Sequence, residues 1–574
     1  MIDYKEQYNT WKKALAGTEY EAELLSLEQD DKQMQESFYQ EMEFGTAGMR
    51  GILGMGINRM NDFTVRRLTK GLADYLNEKG VAKEGVIIGY DSRRNSERFS
   101  RQVAGVLCAN GIKVVLSPTI LSVPQLSFSI LELKVAAGVV ITASHNPPAY
   151  NGYKVYGRDG GQVDPEDAAI ITKYIGQVPD MFHIQAMDLN EAEAKGLLTW
   201  YPADLLEVYY SKVKALLIHP DMVRREAENL NIVYTPLFGC GNIPVRRILK
   251  DIGIQRLHVV AEQENPNPDF PGVPAPNPED PSAFNLAFEL ADKVNANLIL
   301  ATDPDSDRLG VAVRIQDGSF KLLTGNQIGC LLMDYTLTQT ALKGNEYVTK
   351  SIVTGDMADA IAKKAGVPIK YVYTGFKFFA EQIKLTEQEG KEKFLFGYEE
   401  SFGFLKGTFV RDKDAIIASM IVCEAACYHH SRGMTLWDAV GALYEKYGYY
   451  QELVISNTLK GLEGLGKIAN AMVRLRANPI TEISGQKVTA LRDYSTLTRT
   501  DSAGNKTEIR MNGNVKSNVL YFELEKGWFI LRPSGTEPKI KSYITYKGET
   551  LEEAKEGIAR LEKEVRELIA RLTE

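Results

Sequence analysis

The chain has 574 residues, too many for one hydrophobic core, and the length suggests roughly three to five domains. Hydrophobic (44%) and charged (25%) fractions are ordinary for a soluble globular protein, which excludes fibrous, disordered and membrane classes. With 67 basic and 75 acidic residues the net charge is −8, and no basic block stands out, so no nucleic-acid or membrane partner is expected.

No apolar run reaches membrane-spanning length. The segment Met1-Ile2-Asp3-Tyr4-Lys5-Glu6 lacks an apolar signal core, and the expected location is cytoplasmic. The five cysteines, Cys108, Cys240, Cys330, Cys423 and Cys427, are scattered and lack CxxC spacing. Neither a disulfide framework nor a zinc site is expected. Cys423 and Cys427 are spaced to share one helix face as core residues.

In chain order, the first ~40 residues read as a polar helical lead-in. Glycines in Glu43-Phe44-Gly45-Thr46-Ala47-Gly48-Met49-Arg50-Gly51 break that pattern. Strands and helices then alternate: a buried strand over Gly85–Tyr90, a helix from Phe99 to Asn110 ended by Gly111, and a strand from Lys113 to Leu116. Further strands are predicted at Asn231–Thr235, opening a glycine turn, at Leu298–Thr302, from Tyr347 to Val353, and from Phe394 to Phe396. This alternation predicts α/β architecture with mixed sheets. The stretch from Asn265 to Pro278, dense in proline and asparagine, is expected to be an extended loop. Near the end, strands at Val519–Phe522 and Trp528–Leu531 precede a terminal helix with a Thr550…Glu553 capping box. Its apolar face is Ala554, Ile558, Leu561, Val565, Leu568 and Leu572, at helical spacing.

Four loops carry chemistry. The run Val139-Val140-Ile141 stops at Thr142-Ala143-Ser144-His145-Asn146-Pro147-Pro148, and Asn151-Gly152 follows, so neither strand nor helix is expected to continue there. A hydroxyl at a strand end beside a proton carrier is where a nucleophile is presented, although turn serines also serve local backbone groups. Second, Asp303-Pro304-Asp305-Ser306-Asp307-Arg308 offers three carboxylates at i, i+2 and i+4, able to converge on one hard cation. The bland alternative is a solvated acidic turn. A calcium EF-hand fails, because it would need glycine at Arg308 and a carboxylate at Arg314. Aspartates beside an arginine suit Mg²⁺ next to a phosphoryl group.

Third, Arg532-Pro533-Ser534-Gly535-Thr536-Glu537-Pro538-Lys539 combines a turn glycine, hydroxyls and a guanidinium, a set that suits phosphate as well as an ordinary hairpin. Fourth, Gly397-Tyr398-Glu399-Glu400-Ser401-Phe402-Gly403 follows an apolar strand and offers groups for sugar hydroxyls, or simply a strand-end cap. Thr374-Gly375-Phe376-Lys377 and Arg411-Asp412-Lys413-Asp414 fall on neighbouring loops.

Together, and in this order, these motifs resemble the α-D-phosphohexomutase superfamily, specifically its phosphoglucomutase-like members, over nearly the whole chain. The resemblance implies four domains around a central cleft: three related mixed-sheet α/β domains and a smaller α+β C-terminal domain. The expected boundaries are 1–210 for the phosphoserine domain, 211–325 for the metal domain, 326–455 for the sugar domain and 456–574 for the phosphate domain. It also implies that Ser144 carries the phosphoryl group. Asp303, Asp305 and Asp307 would bind Mg²⁺ together with an oxygen on Ser144. Arg308 matches the active-site arginine and Arg50 an arginine near the phosphoserine. Glu399 and Ser401 match sugar ligands, with Thr374 and Gly375 in the neighbouring specificity loop. Arg532, Ser534, Gly535 and Thr536 match the loop for the non-reacting phosphate. His145, Lys154 and Lys413 match proton-transfer or phosphate-contacting groups.

The metal loop reads Asp-Pro-Asp-Ser-Asp instead of Asp-Gly-Asp-Gly-Asp, and Tyr398 stands where glycine is frequent. Both variants look like the branch of bacterial α-phosphoglucomutases and phosphopentomutases. The expected activity interconverts glucose 1-phosphate and glucose 6-phosphate through phosphoserine and glucose 1,6-bisphosphate. Phosphopentomutase and phosphomannomutase are the alternatives within the superfamily. A metal-dependent sugar phosphatase is the alternative from another class, and a non-catalytic sensor would not need Ser144. The partner is a phosphosugar; the sequence carries no signal of oligomeric state.

Overall fold

The structure, a computed structural model, describes residues 3–45, 48–459, 461–534 and 539–573. The chain forms two units. One comprises the chain up to Gly325 with Phe379–Phe396 and Ser401–Thr435; the other comprises Asn326–Phe378, Gly397–Glu400 and the chain from Leu436. Among the described residues no helix is long and apolar enough to cross a membrane.

The lead-in consists of helices Tyr4–Leu15, Glu21–Ser26 and Asp31–Phe38. Polar composition hid an apolar stripe. Tyr8, Trp11, Leu15, Leu24, Met34 and Phe38 are buried and form a separate core with Met55, Ile57 and Phe63. Trp11 meets Phe38 and Phe63 edge-on at 5.7 and 5.4 Å.

The first unit contains two sheets built to one plan. The first uses β1 (Gly48–Ile52), β2 (Val86–Tyr90), β3 (Val114–Leu116), β4 (Ala137–Ile141), β5 (Tyr150–Gly157) and β6 (Leu198–Trp200), in the order β1-β5-β4-β2-β3-β6. The second uses β7 (Asn231–Thr235), β8 (Arg256–Val259), β9 (Leu298–Thr302), β10 (Leu309–Arg314) and β11 (Phe320–Leu322), in the order β11-β10-β9-β7-β8. In each, a parallel trio (β4-β2-β3, β9-β7-β8) carries an antiparallel strand (β5, β10) beside its first member. β2, β4, β7 and β9 are buried throughout, as continuous apolar runs in a parallel sheet require. Open parallel sheets gather function at the carboxyl ends of their strands.

Two local readings shift. The helix expected from Phe99 begins at Ser96 and ends at Ala109, with Gly111 in the left-handed region as expected. Asn151-Gly152, read as prolonging the turn, lies inside β5 instead. The Asn151 amide donates to Arg94 O (2.9 Å) and Ser96 Oγ (3.0 Å), a buried anchoring role. At Gly152 a Cβ would meet Thr142 O at 2.5 Å, so glycine there permits close strand approach.

In the second unit β12 (Glu346–Ser351) and β13 (Ile369–Val372) run parallel. β14 (Lys393–Glu399) begins in one unit and ends in the other, and β15 (Gly403–Lys406) follows in the first. The C-terminal part is an antiparallel sheet. Its strands are β16 (Tyr449–Thr458), β17 (Glu482–Ile483), β18 (Gln486–Asp493), β19 (Thr498–Asp501), β20 (Lys506–Glu508), β21 (Leu520–Leu524), β22 (Gly527–Pro533) and β23 (Lys539–Gly548). The path runs β16-β23-β22-β21-β18-β19-β20, with β17 beside β18. The expected apolar face of the terminal helix (Leu551–Thr573) packs into this domain's core with Ile468, Met472 and Ile544. Its cap is only half a capping box. Thr550 Oγ1 accepts from Glu553 N (3.2 Å), whereas Glu553 accepts from Glu549 N (2.8 Å), one residue before Thr550.

Candidate active site

β4 and β9 occupy the same position in their sheets, and each ends in a chemistry-bearing loop. Ser144 lies three residues beyond β4, with φ 51, and Asp303 directly follows β9. Ser144 Oγ donates to Asp303 Oδ2 at 2.7 Å and lies 3.1 Å from His145 Nδ1. Asp303 Oδ1 accepts from the backbone N–H groups of Asp307 (3.1 Å) and Arg308 (3.0 Å), which curls the loop back on itself.

Asp303, Asp305 and Asp307 are buried, and one ligand oxygen from each lies within 4.8 Å of the others. Asp305 Oδ1 and Asp307 Oδ1 are buried without a hydrogen-bond partner. Unpaired buried carboxylate oxygens converging on one point suit a hard divalent cation. Burial, and repulsion from the other two carboxylates, push Asp303 well above the usual range. Burial also pushes on Asp305, but Lys154 (Nζ to Oδ2, 2.9 Å) overcomes it and holds Asp305 below that range. Lys413 bridges Asp307 (2.9 Å) and Asp412 (3.1 Å), and Asp412 in turn accepts from Tyr156 OH (2.8 Å).

Arg308 pairs with Glu279 and lies 3.9 Å from Asp307. Arg50, on β1, donates to Asn146 Oδ1 at 3.1 Å. Burial, then the charges of Arg308 and Arg50, hold His145 well below its ordinary range, so the imidazole is neutral. The structure thus brings Ser144, His145, Lys154, Arg50, Arg308, Lys413 and the three aspartates together in the first unit. Ser401 also belongs to that unit, in the turn between β14 and β15.

Of the residues that depart in sequence, Pro304 and Tyr398 have packing explanations and Ser306 does not. Pro304 lies against the glycine turn after β7: a Cβ on Gly239 would meet Pro304 Cα at 2.4 Å, and Cys240 N donates to Pro304 O (2.8 Å). Ser306 adopts φ 58, a left-handed conformation that glycine takes more easily. Tyr398 is fully buried in the second unit, its ring filling the space left by Gly329 and its hydroxyl 3.3 Å from Cys330 Sγ.

The remaining site residues lie in the second unit. Glu399 ends β14 and accepts from Gly375 N at 2.6 Å, joining the sugar motif to the Thr374-Gly375 loop. Glu400 accepts from Ser351 and Thr354, each at 3.2 Å. Arg532, on β22, donates to Tyr543 OH (3.4 Å), and Ser534 N donates to Lys539 O (2.7 Å). Gly535 and Thr536 lie outside the described residues.

Sequence reading missed Asp91, Arg93 and Glu279. The signal for the first two was present: Asp91-Ser92-Arg93 follows a fully apolar strand, as the serine and aspartate loops do.

Three family matches cover most of this chain: Phosphoglucomutase/phosphomannomutase, alpha/beta/alpha domain I at residues 41–179, domain II at 207–316 and domain III at 324–447. A phosphoglucomutase of Staphylococcus epidermidis is 38% identical over 90% of this chain and 93% of its own. One from Staphylococcus aureus is 37% identical over 91% and 92%. Among solved structures, the exocytosis-sensitive phosphoprotein pp63/parafusin (a phosphoglucomutase) of Paramecium, in an open form, shares the fold with a TM-score of 0.66. It is 16% identical, covering 93% of this chain and 95% of that one.

Proposed function

The chain belongs to the phosphoglucomutase/phosphomannomutase family and is a mutase, an intramolecular phosphotransferase; from that premise we propose that Ser144 is its phosphoryl carrier. The reaction interconverts glucose 1-phosphate and glucose 6-phosphate. Phospho-Ser144 gives its phosphoryl group to the free hydroxyl of the monophosphate, and the resulting glucose 1,6-bisphosphate returns its other phosphate to Ser144. The observation that carries this reading is the 2.7 Å contact between Ser144 Oγ and Asp303 at the edge of a buried carboxylate triad.

Asp303, Asp305 and Asp307, with an oxygen on Ser144, would hold Mg²⁺, which when bound supplies charge neutralisation at the transferring group. Lys154, Lys413, Arg308 and Arg50 bring positive charge to the same place. Of the proton-transfer candidates, His145 is held neutral by burial and by the charges of Arg308 and Arg50, which also lower its affinity for a proton. Lys154, despite burial, is held charged by Asp305 and Asp307. Glu399 and Ser401, with Thr374 and Gly375, would orient the sugar, and Arg532, Ser534, Gly535 and Thr536 would hold the phosphate that is not transferred. From this division of roles we infer four domains, bounded at about residues 210, 325 and 455. Five buried, unpaired thiols favour a reducing, cytoplasmic setting.

The test is to incubate the protein with Mg²⁺, glucose 1-phosphate and catalytic glucose 1,6-bisphosphate, and to follow glucose 6-phosphate and free phosphate together. Isomerisation without phosphate release is expected. Phosphate release alone would make the protein a phosphatase. Faster turnover of mannose 1-phosphate or ribose 1-phosphate would move the assignment to phosphomannomutase or phosphopentomutase.

A further inference from the structure

Both peptide groups that flank Ser144 are tied, directly or through one hydroxyl, to a buried ion pair outside its loop. Ser144 N donates to Thr142 Oγ1 (2.8 Å), and Thr142 Oγ1 donates to Asp91 Oδ2 (2.6 Å). On the other side, Ser144 O accepts from Arg93 Nη2. The same guanidinium donates to Asn146 O (2.5 Å), Pro147 O (3.0 Å) and Tyr150 O (3.1 Å). Asp91 Oδ2 lies 3.4 Å from Arg93 Nε, and both side chains are fully buried. The guanidinium sits over the Phe270 ring at 5.1 Å.

The loop needs such a group. Ser144 is left-handed, and Pro147 and Pro148 have no N–H, so the carbonyls between 144 and 150 cannot pair in a regular ladder. A planar fork of donors reaches four carbonyls at once; a lysine ammonium, with three donors at one point, does not. Asp91 accounts for the buried charge and is itself satisfied by Ser96 Oγ (2.8 Å) and Arg93 N (3.0 Å). Asp91 and Arg93 follow β2, which pairs in parallel with β4, so the brace and the serine loop leave neighbouring strand ends.

We propose that Arg93, with Asp91, is a positioning residue for phosphoryl transfer: it grips the main chain of the Ser144 loop and aims Oγ at the metal-side carboxylates. This rests on Ser144 being the phosphoryl carrier. Arg93 works through the loop's main-chain oxygens, so its loss should act on the transfer step and leave substrate capture largely alone.

The experiment compares wild type with Arg93→Lys by steady-state kinetics, thermal unfolding, intact-protein mass and the ³¹P resonance of phospho-Ser144. We expect kcat to fall by about a hundredfold with KM changed less than about threefold, since roughly 1 Å of misplacement costs that much. The ³¹P resonance should shift or broaden. A kcat per folded molecule within about threefold of wild type, with an unmoved ³¹P resonance, overturns the proposal. Should Arg93→Lys fail to fold, Phe270→Leu loosens the brace from its apolar side while keeping the guanidinium. It should lower kcat by about tenfold at unchanged KM, and wild-type kcat there is equally fatal. A wild-type protein that turns over without phosphate on Ser144 would instead sink the carrier assignment.

Discussion

Ser144 and Asp303 stand 159 residues apart in sequence, yet their side chains share a 2.7 Å hydrogen bond. Each follows the same strand of a repeated sheet plan, Ser144 after β4 and Asp303 after β9. The proposed phosphoryl carrier and the proposed metal ligands are thus topological counterparts, built by two uses of one strand-end loop.

Replacing Ser144 tests the carrier directly. Ser144→Ala should lower turnover by at least about a thousandfold, because no other step can proceed without the carrier. Its unfolding midpoint should stay within about 3 °C, since alanine bears a left-handed conformation at a cost similar to serine's. Substantial isomerisation by this variant would refute the carrier.

Asp305 is the carboxylate that its surroundings hold most firmly ionised, through Lys154. Asp305→Asn should raise the Mg²⁺ concentration for half-maximal activity by about tenfold or more. Titrating activity against Mg²⁺ in both proteins checks this, and an unshifted curve would remove Asp305 from the ligand set.

Ser306 is left-handed, and its buried Oγ has no hydrogen-bond partner. Ser306→Gly removes both costs and adds a smaller one from chain flexibility in the unfolded state. The net should be a gain of about 1 kcal/mol. Denaturant unfolding of the two proteins measures it; a loss of stability would mean that the hydroxyl holds the metal loop.

Asp414 caps the helix Ala415–His430, accepting from Ile416 N and Ile417 N (both 2.8 Å) and from Tyr209 OH (2.7 Å). Burial nevertheless raises its pKa to about 7. The unfolded chain releases this proton near pH 4, as an ordinary aspartate does. Between about pH 4 and 7 the native state therefore binds more protons than the unfolded state, and stability contributed by this group declines as pH rises. The decline is bounded at roughly 4 kcal/mol and levels off above the native pKa. Asp414→Asn keeps the capping oxygen and cannot ionise. Its stability relative to wild type should climb from pH 4 to 7 and then hold steady. A difference independent of pH would show that Asp414 does not titrate in that window.

Short-range patterns made much of this legible. Apolar runs located the buried strands, and polar residues at their ends marked the serine and aspartate loops. The resemblance of the four loops in order carried the family. What stayed hidden depended on partners distant in sequence. Asn151 looked like a turn residue because its anchors, Arg94 O and Ser96 Oγ, lie more than fifty residues earlier in the chain. The lead-in helices looked merely polar, because Met55, Ile57 and Phe63 complete their core. Arg93 was marked only by its place after an apolar strand; what it grips stayed hidden, since it serves carbonyls that the parallel pairing of β2 and β4 brings near.

The ion pair between Lys413 and Asp307 has a consequence for biosynthesis. Ribosomes make Asp303, Asp305 and Asp307 well before Lys413, and domains generally fold as they emerge. A nascent chain halted between them owns three clustered carboxylates, with Lys154 and the more distant Arg308 as counter-cations, and lacks the 2.9 Å pair between Lys413 and Asp307. Burying such a cluster with its charges incompletely paired is unfavourable. Full charge pairing of the aspartate loop therefore comes only with the last lysine or a captured cation, late in the synthesis of the chain.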